Sequence, residues 1–115
     1  MIRTITICAA LAAATGAALA HHGWGSYTEG KPVTVAGAIM TMKFDNPHAT
    51  ATVRGSDKVW TVTLAPPFRM TSRGATEKIV AVGATISAYG YPASSGAAEM
   101  RAERITIDGK TYEMR

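Results

Sequence analysis

The 115-residue chain holds one cysteine, Cys8. One thiol forms no internal disulfide and builds no multi-thiolate metal centre, so neither a cross-linked scaffold nor a zinc-finger-like site is available. Charge is sparse as well: Asp, Glu, Lys and Arg make up 17% of the residues, and the net charge of +4 comes from basic residues scattered between Arg3 and Arg115. No basic run or stripe offers a track for phosphates, and nucleic acid is not an expected partner. The chain also lacks a Gly-rich phosphate loop and a serine in a nucleophile elbow, and its carboxylates read as turn or exposed-strand residues rather than a pair at a cleft. These absences favour a binding module over an enzyme.

The one sustained apolar stretch lies near the start. Arg3 supplies a positive end, an Ala-rich run follows, and Ala18-Leu19-Ala20 forms a small-x-small cleavage site. The run is too short and too Ala-rich for a membrane span. The expectation is an export signal over residues 1–20, cleaved after Ala20, with no stable membrane insertion of the product. Cys8 leaves with the signal, and Ile5-Thr6-Ile7 before it lacks the small-residue pattern that precedes a lipid-modified cysteine. Residues 21–115 are enough for one modest core and too few for two. A soluble product without disulfides in an oxidising compartment fits the periplasm.

What remains reads as β structure. Residues 21–31 carry Gly23, Gly25 and Gly30 and form a flexible arm unless Trp24 and Tyr27 pack it onto the domain. A long first strand runs from Val33 to Phe44; its inward set changes from Val33 and Val35 to Met40, Met42 and Phe44, which calls for a one-residue shift at a glycine bulge near Gly37. Asn46-Pro47 turns the chain and delivers His48 to a second strand, where Ala49, Ala51 and Val53 share one face and His48, Thr50 and Thr52 the other. A turn at Gly55–Lys58 leads to a third strand, Val59–Ala65, with Trp60, Val62 and Leu64 inward. After Pro66-Pro67 a helical turn over Phe68–Arg73 closes at Gly74. A fourth strand at Ala84–Tyr91, a fifth at Ala102–Asp108 and a short hairpin arm at Lys110–Met114 complete the chain. This order predicts an all-β fold over residues 32–115, a small five-stranded OB-like Greek-key barrel with a short helical linker between strands three and four. An open sandwich of the same strands is the alternative.

His21-His22 after the signal, Lys31-Pro32-Val33, Asn46-Pro47-His48 and Trp60-Thr61-Val62 together resemble a family of small exported bacterial proteins classed as a domain of unknown function. Val82-Gly83-Ala84-Thr85-Ile86 and the Tyr91–Gly96 stretch extend the resemblance over essentially the whole mature chain. The double histidine paired with Asn-Pro-His is its most specific part. Gly23-Trp24 stand where the family more often has a small polar residue and phenylalanine, and Ala84 stands where an acidic residue is common. The resemblance implies an exported small β-domain and carries no established activity.

The chemistry therefore rests on the residues. All three histidines fall in two clusters, His21-His22 and His48. Cleavage after Ala20 makes His21 the first residue, with an α-amine and an imidazole for one metal; the His48 imidazole completes a T-shaped three-nitrogen set, a histidine brace. That set suits Cu(II), which prefers tetragonal geometry and binds most tightly in the divalent series. A competing mode uses the amine, the next amide nitrogen and the His22 imidazole. In the plain structural reading the double histidine is a solvated tail and His48 only bonds the Asn46 turn. Asn46 is a supporting residue in the metal reading and Trp24 a cover for the site. Met40 and Met42 read as barrel filler, with a Cu(I) thioether site as the lesser alternative. A copper-binding or copper-delivery protein, a metal-free interaction domain with a periplasmic protein partner, and a copper-dependent oxidoreductase are the three functions carried forward.

Overall fold

The computed structural model describes residues 23–115. A 3-10 turn at Trp24–Ser26 precedes β1 (Val33–Lys43), β2 (Thr50–Arg54) and β3 (Val59–Thr63). Helix α1 (Pro67–Ser72) then leads to β4 (Thr85–Pro92), β5 (Glu99–Ile107) and β6 (Lys110–Glu113). The strands hydrogen-bond in the order β3-β2-β1-β4-β5-β6, and a further pairing of β3 with β5 closes the first five into a barrel. The closing seam is parallel, with Thr61, Val62 and Thr63 opposite Glu99, Met100 and Arg101. The barrel is closed and OB-like, as the element order predicts, and the open sandwich is set aside.

β1 serves two neighbours. Val33–Ala38 pairs with β4, and Ile39–Lys43 pairs with β2. Gly37 sits at the changeover, where a Cβ would lie 1.9 Å from the carbonyl oxygen of Arg54 at the end of β2. The register shift predicted at Gly37 falls instead between Ile39 and Thr41. Met40 is the extra residue there. The inward row is consequently Val35, Gly37 and Ile39, followed by Met42 and Phe44, while Met40 is 40% exposed. The assignment of Met40 to the interior is therefore corrected: the bulge turns Met40 and Thr41 outward together.

The interior holds Val35, Ile39, Val53, Val62, Leu64, Ile86, Met100 and Ile105, all buried. Met70 of α1, also fully buried, carries the helix onto this core. Gly74 ends the helix at φ +90°, and Ala75 N–H bonds the Met70 carbonyl at 2.9 Å, the left-handed cap that a glycine in this place permits. Asp108-Gly109, both at positive φ, form the two-residue turn between β5 and β6. Trp60 packs only partly against the core, its ring 4.4 Å from the Lys58 ammonium.

β5 begins at Glu99, not Ala102, and a second register shift lies opposite Tyr89/Gly90. Tyr89 faces Arg104 and Gly90 faces Ala102, so Glu103 is the extra residue. Met100 and Ala102 point inward before the shift, Ile105 and Ile107 after it.

Candidate functional site

The arm expected to need a hold has one. Thr28 N–H bonds the Pro92 carbonyl and Ser94 N–H bonds the Ser26 carbonyl, each at 2.9 Å, and Tyr27 forms a bridge with Ala93. These bonds lay the arm against the end of β4 and over the outer wall beside the β3–β5 seam. Outward side chains there, which a bare barrel would leave wet, are covered. Met100, Arg101 and Ala102 are buried in succession, one side facing the core and the other the arm.

Register fixes what lies beneath. Thr50 of β2 faces Thr63 of β3, and Thr63 faces Arg101 of β5, so three polar side chains form a row across adjacent strands. His48 precedes the row on the chain. The peptide bond Asn46–Pro47 is cis. Asn46 and Pro47 are both exposed, His48 is half-buried, and Pro47 and His48 line the wall of a cleft. His48, Thr50, Thr63, Glu99, Arg101 and Tyr27 surround a cleft of about 250 Å³. The Nδ1 atom of His48 is buried.

Charge in the cleft is mixed. Tyr27 is 8% exposed and donates its hydroxyl to Glu99 Oε1 at 2.9 Å. Burial pushes its phenol pKa up; a hydrogen bond with Thr63 works against that, and the bond to Glu99 adds to it. Arg101, 6% exposed, stacks its guanidinium 4.1 Å from the Trp24 ring. Burial lowers the Arg101 pKa from its ordinary value, yet a guanidinium remains a cation. Arg115 lies 4.3 Å from the same Trp24 ring and pairs with Glu29 at 3.0 Å and Glu103 at 3.5 Å. Trp24 thus touches two guanidiniums and, edge on, Tyr91 at 6.0 Å. It covers Arg101 and reaches the cleft through that residue.

Tyr27→Phe is expected to cost about 0.5–1.5 kcal/mol at neutral pH, because Glu99 loses its donor. The raised phenol pKa also carries a sign. Stability held by the neutral phenol is present below the ordinary value of 10.0 and is lost as pH climbs through the raised one. Denaturant unfolding at neutral and alkaline pH should therefore show a shallower alkaline loss in Tyr27→Phe than in the parent. Equal alkaline slopes would remove Tyr27 from the cleft chemistry.

His21 and His22 lie outside the described residues, immediately before Gly23. Among the described residues no three His, Cys, Asp or Glu side chains gather into a metal cage. His48 and Glu99 share the cleft. Sequence reasoning named His48, Trp24 and Asn46, gave Tyr27 only as a hold for the arm, and missed Glu99, Thr63 and Arg101. Among the described residues no helix is long and apolar enough to cross a membrane.

Solved structures share this barrel at low identity. One is the S. pombe Stn1-Ten1 complex, with 17% identity, TM-score 0.52, and coverage of 66% of this chain and 57% of that one. Another is TiaS in complex with tRNA(Ile2) and ATP, with 11% identity, TM-score 0.52, and coverage of 70% and 19%. A third is the ZRD-deleted mutant of TiaS in complex with agmatine, with 12% identity, TM-score 0.54, and coverage of 76% and 27%. At such identities the likeness shows the fold alone, and this chain spans 57% or less of each. No curated protein matches the chain. A family model matches residues 9–102, from before the arm through the Asn-Pro-His corner and β1–β4 into the first residues of β5, and on it the chain belongs to the family of unknown function DUF6152.

Proposed function

We propose that this protein is an exported periplasmic binding module that holds one Cu(II) ion between the start of its mature chain and its barrel. His21 supplies the α-amine and an imidazole, and His48 supplies the second imidazole. The observation that carries the reading is the docked arm: Tyr27 lines the same cleft as His48, and Trp24 lies on Arg101 of that cleft. Three residues of chain separate His21 from Trp24, a span of up to roughly 10 Å when extended, and the proposed site uses that span to bring His21 to His48. Neutral nitrogen donors in a tetragonal set match Cu(II) better than Zn(II) or the hard cations. His22 stands next to the site as a local competitor.

The test is a competition titration of the exported protein with Cu(II). One equivalent should bind, and His48→Ala should weaken it by about 10–100-fold or more, since loss of even a supporting group near a metal commonly costs that much. An added residue before His21 should do comparable damage, and His22→Ala should matter far less. Affinity should fall as pH drops through the imidazole range, because protons compete for the same nitrogens. An unchanged affinity in His48→Ala would separate the arm from the Asn-Pro-His corner and leave a local chelator.

A second reading, a metal-free interaction domain, is favoured by a different face. Phe68 is 85% exposed and Val82 63% exposed, and Phe68 shares a groove with Phe44, Pro67 and Glu77. Absence of stoichiometric copper binding would leave this reading standing.

A further inference from the structure

The edge of β1 that faces away from β4 is paired over only part of its length. β2 bonds it along Ile39–Lys43 and stops at Arg54, where Gly55 opens the turn to β3; among the described residues no strand continues along Val33–Ala38 on that side. Ile39 N–H bonds the Ala84 carbonyl and Gly83 N–H bonds the Ile39 carbonyl, so Ile39 turns both its polar groups toward the β4 side. By strand alternation Val35 and Gly37 do the same, and Thr34 and Ala36 turn theirs away from β4. Beside those groups lies a groove of about 480 Å³, lined by Val33–Ala36 together with Gly55, Asp57 and Trp60. We infer that this groove takes an extended acidic peptide from a partner protein, added to β1 as a further strand in the line that β2 leaves open.

Backbone N–H and C=O groups turned outward in strand register recognise another backbone, which singles out an extended peptide as the occupant. Proteins usually blunt a free edge with charge, proline or a bulge. Here Thr34, Ala36 and Ala38 are uncharged, small and exposed, and the bulge of β1 lies in its other half, at Met40. Charge selects the peptide. Lys31 precedes the edge, Arg54 ends β2 beside Gly37, and Lys58 lies 4.4 Å from the Trp60 ring, all three exposed, against one carboxylate lining the groove, Asp57. Among the described residues the ion pairs are those of Arg115, so these three cations are not neutralised by one. A second copy paired antiparallel about Val35 would bring Lys31 of each chain toward Arg54 of the other, like charge on like. None of the residues lining this groove lines the His48 cleft or the Phe68 groove.

The test uses metal-free protein, so the fate of the copper site does not affect it. The probe is the pentapeptide acetyl-Glu-Val-Thr-Val-Glu-amide, followed by backbone amide shifts and amide hydrogen exchange. In the free protein the Thr34 and Ala36 amides should exchange fast and the Val35 and Gly37 amides slowly. The peptide should give saturable shifts at residues 33–37 and 55–60 and slow exchange at Thr34 and Ala36 by about tenfold or more, the scale of a backbone bond gained. The same peptide methylated on every backbone nitrogen should not bind. Lysines in place of its glutamates should weaken binding severalfold at low salt and little at high salt. Ala36→Pro removes an edge N–H without removing a ladder bond to β4, and should abolish binding in a protein that still folds. Where that variant does not fold, the methylated peptide reports instead. Shifts that do not saturate, equal binding of the methylated or the lysine peptide, or slow exchange at Thr34 and Ala36 in the dilute free protein would overturn the site. Protection of those amides that grows with protein concentration, together with a dimer mass, would assign the edge to a second copy and overturn the peptide. Loss of copper binding with peptide binding intact would overturn only the function proposed above.

Discussion

Gly37→Val should cost about 5 kcal/mol or more and abolish the cooperative thermal transition near the parent temperature, an effect at the extreme end for a single substitution. A Cβ at Gly37 would lie 1.9 Å from the Arg54 carbonyl oxygen and 2.9 Å from its carbon. Those are backbone atoms, so no rotamer change relieves the overlap. Added methylenes in a core cost about 1–3 kcal/mol when side chains can adjust. Here the end of β2 has to move, and β2 is paired on both sides, with β1 and with β3. Gly37→Ala should act in the same direction, because the first carbon already collides. A wild-type melting temperature in either variant would contradict the crossing of β1 and β2 at this point.

Gly90→Val should be comparably damaging, at about 4 kcal/mol or more. Its Cβ would lie 1.9 Å from the Arg101 carbonyl oxygen and 2.9 Å from the Ala102 Cα. Gly90 faces Ala102 beside the register shift at Glu103, so the glycine is what lets β5 come close enough to set Arg101 in its row. Relief of the overlap must push the Arg101 backbone away from β4 and disturb the cleft with it. Thermal unfolding checks the first effect, and amide shifts at Thr63 and Arg101 in any folded fraction check the second. Parent-like values for both would mean that β4 and β5 do not pack as described.

The barrel was legible because its core strands obey simple alternation. Ala49-Ala51-Val53 and Trp60-Val62-Leu64 each show one apolar face, and Asp108-Gly109 and Gly74 mark their turn and cap by residue type. The bulges were not legible. Met40 and Met42 have the spacing of one strand face, and nothing in their chemistry says that an extra residue will turn Met40 out. The shift at Glu103 likewise breaks the alternation in β5, and the charged run Glu99–Arg104 then reads as solvent-facing. Its first part is covered by the arm instead, and no local pattern in the sequence reports a contact between residues 24–28 and residues 92–101.

The same reasoning explains the site. His48 stood out because histidine is rare in this chain and follows a proline corner. Arg101, Thr63 and Glu99 did not, since their meeting depends on the parallel β3–β5 pairing, a contact between distant segments. Tyr27 was anticipated as a hold for the arm, and its bond to Glu99 gives it a second role. Asn46, expected to support the site, and Pro47 are both exposed at the corner, and of the two Pro47 lines the cleft.

In the proposed function the arm and the barrel share one metal ion through His21 and His48. Pulsed electron paramagnetic resonance of the protein beginning at His21 and carrying one equivalent of Cu(II) tests it most directly, because remote imidazole nitrogens give a countable modulation. Two imidazoles and one amine nitrogen are expected, with one imidazole signal lost in His48→Ala and both retained in His22→Ala. A spectrum unchanged by His48→Ala and altered by His22→Ala would contradict the shared site.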